Sequence, residues 1–445
     1  MSLQKQATPR ASLSRLDAIS IMVGIVIGIG IFRFPSLVAS NVPDEATFIA
    51  IWVIGGAITL VGALVYAELA AAYPSTGGEY HFLTRAFGQP TGFMFAWARI
   101  SVIQTGAIAV VAFVFGDYAQ QIVPLGTFGP SIYAGAAVAA LTAVNLVGTY
   151  EGKNTQHLFT GLTVLAILAV VVTGFASPGA VSPPTTPAET AGGAIGLALL
   201  FVLFTYGGWN EAAYLSAELR DVRRDMIRVL VLGTGAIVVV YVLINLAYLY
   251  VLGIDGVRGS EAVAADLMRN VLGESGAVAL SLIICCTALS TLNATIFTGA
   301  RVYHALGEDL TALRGIGAWS GGGNNPRNAL LLQGVIALGL VTYGAVTRSG
   351  IQALVEYTFP VFWLFLLLVG VSYVVLRYRE PRRERPFRAP LYPLTPIIFI
   401  LTCGYLLYST AMYSGLGAVV GIAVLLLGLP LLFLLRMKQA VSAAE

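Results

Sequence analysis

Gly24-Ile-Val-Ile-Gly28-Ile-Gly30-Ile-Phe32 lies in the middle of one hydrophobic span, and Phe204-Thr-Tyr206-Gly207-Gly208-Trp209-Asn210 lies in the middle of another. Hydrocarbon offers no partner for a freed backbone N–H or C=O, so an unwound stretch at membrane depth survives only where it is buried in protein or lines a cavity. A lone glycine in a span also serves to bring two helices close together. Two glycine-interrupted spans at matching places in two similar halves point instead to paired breaks around one shared binding site.

Composition places these breaks in a membrane. Of 445 residues, 57% are hydrophobic and 11% charged, against about 25% charged in a soluble domain. Hydropathy gives twelve spans, near 16–40, 46–72, 91–122, 130–149, 156–176, 192–219, 227–253, 274–304, 327–347, 351–377, 394–414 and 416–436. Lys5, Arg10 and Arg15 precede a long first span with no small-residue cleavage site, which reads as a retained span. With both termini inside, 20 of the 25 basic residues are cytoplasmic; Arg258, Arg269 and Arg348 fall outside, and Arg33 and Arg99 fall within spans. That bias sets a multi-pass protein of the cell membrane with both ends cytoplasmic. The net charge of +3 carries no nucleic-acid footprint. Cys285, Cys286 and Cys403 lie inside spans without metal-ligand spacing, so no metal and no cofactor is expected.

The fold class expected is an all-α membrane protein. A cytoplasmic tail (1–15) precedes a first repeat of five spans (16–176). The proline-rich connector 177–189 leads to a second repeat of five (192–377), then two extra spans (394–436) and a tail (437–445). An odd number of spans per half turns the halves upside down relative to one another, so the breaks are related by an axis in the membrane plane. Residues 261–273 read as a short outer helix.

A broken helix can hold a zwitterion without any charged side chain. The inner half of the first span ends near Val26 and Ile27 with free carbonyls, which suit an ammonium. Its outer half starts after Gly28, Ile29 and Gly30 with free N–H groups, which suit a carboxylate. The sixth span runs the other way: carbonyls near Phe204–Tyr206 and Gly207, then a new helix start at Trp209 and Asn210.

The blocks Gly28-Ile-Gly-Ile-Phe32, Gly77-Gly78-Glu79-Tyr80, Tyr206-Gly207-Gly208-Trp209-Asn210 and Arg385-Pro-Phe-Arg-Ala-Pro-Leu-Tyr-Pro-Leu-Thr-Pro396 occur in order along the chain. Together they resemble the amino acid–polyamine–organocation (APC) superfamily, and the sixth span is most similar to its L-type amino acid transporter branch. The resemblance implies a five-plus-five inverted repeat of the leucine-transporter kind and an alternating-access amino acid carrier working by exchange or symport. Carried over by position, Val26, Gly28, Ile29, Gly30, Phe204 and Gly207 would contact the substrate backbone, with Phe204 also closing the site. Two departures stand out. Ile29 replaces a residue that is usually small, and Thr163 stands where the fifth span often has a lysine that substitutes for sodium. The loop between spans three and four has no cysteine, so no disulfide-linked partner subunit is expected; the partners are an amino acid and the surrounding lipid, and the chain is a monomer or a loose homodimer.

Charges within spans are functional candidates, since each costs about 2.5–3.5 kcal/mol at the bilayer centre on insertion scales. Glu211, one turn below the second break, could read a cationic side chain or take up a proton, or simply bond a neighbouring helix. Glu218, near Arg220 and Arg223, reads as an inner-gate or structural ion pair. Arg33 and Glu356 fall at matched depth in spans one and ten and are expected either to pair as an outer gate or each to face a wet outer vestibule. Glu68 and Arg99 lie near the inner face, where long side chains can snorkel, and Glu68 reads as structural. A polyamine or other organocation carrier and a non-transporting amino acid sensor on the same scaffold are the alternative functions. An enzyme is not expected, as no nucleophile–base pair or metal cluster sits at membrane depth.

The charge bias predicts that a cysteine placed at Gly322 is labelled only from the cytoplasm and one at Pro183 only from outside. Labelling of both from one side would rule out the inverted arrangement.

Overall fold

The structure is a computed structural model and describes residues 15–75, 77–147, 153–177, 179, 195–216, 219–309, 327–347, 350–413 and 415–434. Among these the regular elements are helices. The first span is cut in two: α1 (Arg15–Val26) and α2 (Phe34–Ala39) are joined through a 3-10 turn, Ile29–Phe32. Helix α3 (Glu45–Ala72) follows, capped by Asp44, whose carboxylate accepts from the Thr47 N–H at 2.7 Å. A short helix absent from the sequence reading, α4 (Gly78–Phe87), lies between the second and third spans. The third span is α5 (Gln89–Ala98), a π turn (Arg99–Ile103) and α6 (Gln104–Ile122). Then come α7 (Gly129–Val147) and α8 (Lys153–Ala176).

The second half opens with another interrupted span, α9 (Ile195–Thr205) followed by a 3-10 helix (Trp209–Leu215). Helix α10 (Val222–Arg258) kinks at Gly253, and α11 (Val263–Asp309) kinks at Gly273. The piece of α11 before Gly273 is the short helix expected over 261–273. Helices α12 (Arg327–Val346), α13 (Ile351–Arg379), α14 (Leu394–Tyr413) and α15 (Leu416–Leu426) complete the chain. Among the described residues ten helices are long and apolar enough to cross a membrane, two fewer than expected. The interrupted first span stands outside this count, and so does the fifth, α8, whose described side chains run only over Gly161–Ala176. The chain is thus a multi-pass membrane protein.

Packing sets the two breaks side by side. Helix α3 lies along α10, α6 along α11, α1 along α10, and α2 along α9. Small residues allow the closest approaches: a Cβ on Gly56 would lie 2.6 Å from Val238, and one on Gly62 would lie 2.7 Å from Trp209. Cys285 of α11 and Cys403 of α14 are buried, whereas Cys286 is exposed.

At the end of the molecule away from Arg33, Glu68 is 2% exposed and does not snorkel. Its carboxylate accepts from Arg377 Nε and a terminal Arg377 nitrogen, both at 2.8 Å, from the Tyr373 hydroxyl at 2.7 Å and from the Ala389 N–H at 2.7 Å; Arg385 lies 3.4 Å away. This anchor explains the Arg385–Pro396 block: it staples the segment between α13 and α14 onto the end of α3. Arg85 and Glu380 add a second tie at 2.7 Å. Removing one partner of a buried ion pair strands the other and costs about 3–5 kcal/mol. Glu68→Ala is therefore expected to lower the melting temperature of the purified protein clearly, and an unchanged melting temperature would refute the anchor.

Candidate binding cavity

At the first break the helical ladder stops at Ile27, whose N–H still bonds the Val23 carbonyl at 2.7 Å. Gly28 is extended (φ −83°, ψ −175°), and the 3-10 turn begins at Ile29. The carbonyls freed here are taken up by buried tyrosines. Tyr241 of α10 donates to Val26 O at 2.8 Å, Tyr248 of α10 to Ile31 O at 3.4 Å, and Tyr118 of α6 to Phe32 O at 2.8 Å. Val26 O also accepts the Gly28 N–H at 2.6 Å. The Val26 carbonyl, expected to face an ammonium, is thus already doubly engaged.

At the second break the Tyr206 N–H bonds Val202 O and the Gly207 N–H bonds Phe204 O, each at 2.9 Å. Gly208 is left-handed (φ 102°, ψ −18°), a conformation a side chain would strain, and it starts the 3-10 helix at Trp209. A Cβ on Gly207 would lie 2.8 Å from the Phe204 carbonyl oxygen.

Both breaks open onto one cavity of about 350 Å³. Val26, Gly28 and Gly30 line it from the first break, and Phe204, Gly207, Asn210 and Glu211 from the second. Gln104 of α6, Thr291 and Thr295 of α11, and Thr358 of α13 supply further polar groups. The two α11 hydroxyls bond the preceding turn, at Thr287 O (3.0 Å) and Thr291 O (2.7 Å). Gln104 Nε2 donates to Thr295 O at 2.9 Å, tying α6 to α11 beside the cavity. Phe204 packs at a tilt on Phe359 (4.6 Å between ring centroids) and edge-on to Phe34 (5.5 Å), an aromatic cluster at the wall.

Other expected site residues fall elsewhere. Ile27 is buried outside the cavity lining. Tyr206 turns away, donating to Trp52 O at 3.1 Å. Trp209 packs on Tyr66 (4.9 Å) and Phe399 (6.3 Å), behind the break. Thr163 is buried in α8, away from the cavity. The Ile29 side chain and Glu218 lie outside the described positions.

The charged residues depart most from expectation. Arg33 does not pair with Glu356. Its Nε donates to Asp117 of α6 at 3.1 Å, and a terminal nitrogen donates to the Ser36 hydroxyl at 2.6 Å and to Ser260 O at 3.4 Å. Glu356 instead accepts the Gly415 N–H at 3.2 Å, at the positive N-terminus of α15. Arg33 and Asp117 line a second cavity of about 440 Å³ with Gln120 and Glu261. Arg99 does not snorkel. One terminal nitrogen donates to both Glu211 carboxylate oxygens, at 2.7 and 2.9 Å, and the other lies 3.6 Å from Glu79. Arg99 starts the π turn, and such turns concentrate at functional sites.

An all-helical membrane protein with a charged cavity where two interrupted helices meet has a layout similar to that of membrane carriers with discontinuous helices. The family model for amino acid permeases matches residues 13–434, and the chain belongs to that family. It is 30% identical over 417 residues to b(0,+)-type amino acid transporter 1 of Mus musculus, covering 92% of this chain and 83% of that protein. To the protein of the same name from Homo sapiens it is 28% identical over 421 residues, covering 92% and 85%. To Large neutral amino acids transporter small subunit 2 of Homo sapiens it is 28% identical over 437 residues, covering 96% and 80%.

Gly30→Leu and Gly207→Leu should each abolish ligand binding while the protein still inserts, since the new side chains meet Phe34 and the Phe204 carbonyl at the cavity wall. Isothermal titration checks this, and unchanged affinity in either variant would remove the breaks from the site.

Proposed function

We propose that this chain is a secondary active transporter that moves amino acids across the cell membrane by alternating access, the substrate zwitterion being held by main-chain groups of the two broken helices. One observation carries the reading: a single cavity takes Gly28 and Gly30 from one break and Gly207 and Asn210 from the other. Unpaired main-chain groups at helix ends carry partial charges of both signs, which suits a ligand that is itself a dipole. Membership of the amino acid permease family and the printed names of its relatives support the same substrate class.

The layout proposed is twelve spans in a five-plus-five inverted repeat plus two. The helix pairs support it. Spans two and seven (α3 with α10) and spans three and eight (α6 with α11) are counterparts in such a repeat, and they pack on each other. With both termini cytoplasmic, the Arg33–Asp117 pair belongs to the outer side and the Glu68 anchor to the inner side. Arg33 bridges the first span to the third and to the turn before α11, so it takes the role of an outer latch with Asp117 as its partner. The reading includes no cofactor and no disulfide-linked subunit. The loop between spans three and four has no thiol to offer one.

A thermal-shift screen of the twenty amino acids and common polyamines on the detergent-purified protein tests the reading. α-Amino acids should stabilise it by ligand linkage, about 2.7 kcal/mol at a hundredfold excess over Kd. Stabilisation by polyamines alone would favour an organocation carrier instead.

A further inference from the structure

We propose that the Glu79–Arg99–Glu211 cluster carries one surplus negative charge that is neutralised either by a proton or by the positive side chain of a cationic amino acid, so that the two compete for one place. The inference rests on the transporter reading and adds to it the substrate class and the coupled ion.

The cluster holds two carboxylates and one guanidinium. Arg99 and Glu211 line the cavity; Glu79 lies just behind them on α4 and is 4% exposed. The Arg99 side chain is 13% and the Glu211 side chain 32% exposed, so Glu211 is the member a substrate can reach. The Arg99 guanidinium lies between the two acids, 2.7 Å from Glu211 and 3.6 Å from Glu79. It can therefore serve Glu79 alone once a substrate cation takes over Glu211. With the cation present the cluster is balanced, two charges of each sign. Without it, one carboxylate is in excess in a region where an uncompensated charge costs several kcal/mol.

Glu79 is built to hold the proton that removes this excess. Its Oε1 accepts from the Tyr66 hydroxyl at 2.6 Å and from Asn210 Nδ2 at 3.0 Å. Burial pushes its carboxyl up from the ordinary range, more than Arg99 and the hydrogen bonds from Tyr66 and Asn210 pull it down, and Glu211 adds to the rise. Among the described residues the charged and titratable groups facing it include Tyr66 from α3, Arg99 from the π turn and Glu211 from the 3-10 helix. The arginines at the end of α13 are engaged elsewhere, Arg377 with Glu68 and Arg379 with Ala86 O. Arg85, on the same helix as Glu79, is taken by Glu380. A substrate ammonium arriving at Glu211 makes the Glu79 proton superfluous, and that proton leaves to water. A neutral amino acid leaves it in place. The neutral class thus travels with a proton, and the cationic class travels without one.

The test uses the full chain in proteoliposomes loaded with L-lysine and a pH-sensitive dye, then diluted into L-leucine. The cluster predicts an electroneutral exchange in which about one proton enters per leucine, whereas leucine–leucine exchange moves none. Glu79→Gln, permanently neutral, should abolish the proton movement, keep leucine binding and weaken lysine binding roughly tenfold or more. Leucine–lysine exchange without proton movement, rejection of lysine by a protein that takes leucine, or proton movement that survives in Glu79→Gln would each overturn the inference. Should Glu79→Gln fail to fold, the parent protein's proton count decides alone. Failure to exchange any amino acid would instead overturn the transporter reading on which the inference stands.

Discussion

The structure depends on the satisfaction of main-chain groups at membrane depth. Breaking the first span frees carbonyls that neither lipid nor the helix can bond, and an unpaired buried polar group costs about 1–3 kcal/mol. Three buried tyrosine hydroxyls answer this, Tyr241 and Tyr248 from α10 and Tyr118 from α6. The break is stabilised because helices packed around it hold out donors at three of its carbonyls, those of Val26, Ile31 and Phe32. Those same contacts fix α1, α10 and α6 relative to one another, and so fix the cavity wall. Val26, Gly28 and Gly30 of the first break and Gly207 and Asn210 of the second line that cavity.

Charge is arranged in three levels along the molecule. Arg33 and Asp117 occupy one end, the Glu79–Arg99–Glu211 cluster the middle, and the Glu68 anchor with Arg377 and Arg385 the other end. Each level ties one half of the chain to another part of it. The end levels join helices that alternating access would separate or rotate, so their ion pairs suit latches. The middle level differs because it borders the cavity and does not balance internally.

Much of this was legible in the sequence, and the reasons are physical. Glycine clusters interrupt a helix by local propensity, so the breaks at Gly28 and Gly207 could be read from neighbouring residues. Hydropathy marks long spans well: ten helices among the described residues are long and apolar enough to cross a membrane, and the first span differs because a broken helix looks continuous to an average over a window. Long-range charge partners were not legible. Depth alone matched Arg33 with Glu356, yet the chain offered Asp117 on the adjacent α6 and gave Glu356 a helix N-terminus. Arg99 looked free to snorkel because the π turn that places it on the cavity leaves no mark in the sequence. Tyr241 and Tyr248 did leave one: seven residues apart, they share a face of α10, a spacing that could have flagged a row of donors.

The account's central claim is that main-chain groups at the two breaks hold both α-groups of the substrate. Binding of an amino acid, its methyl ester and its N-acetyl derivative to the purified protein tests this most directly. Each derivative removes one of the two charges and leaves the side chain intact. The account predicts that both lose binding, by roughly tenfold or more for each charge-assisted hydrogen bond lost. Affinity retained by either derivative would contradict it, because one of the breaks would then have no part in holding the ligand.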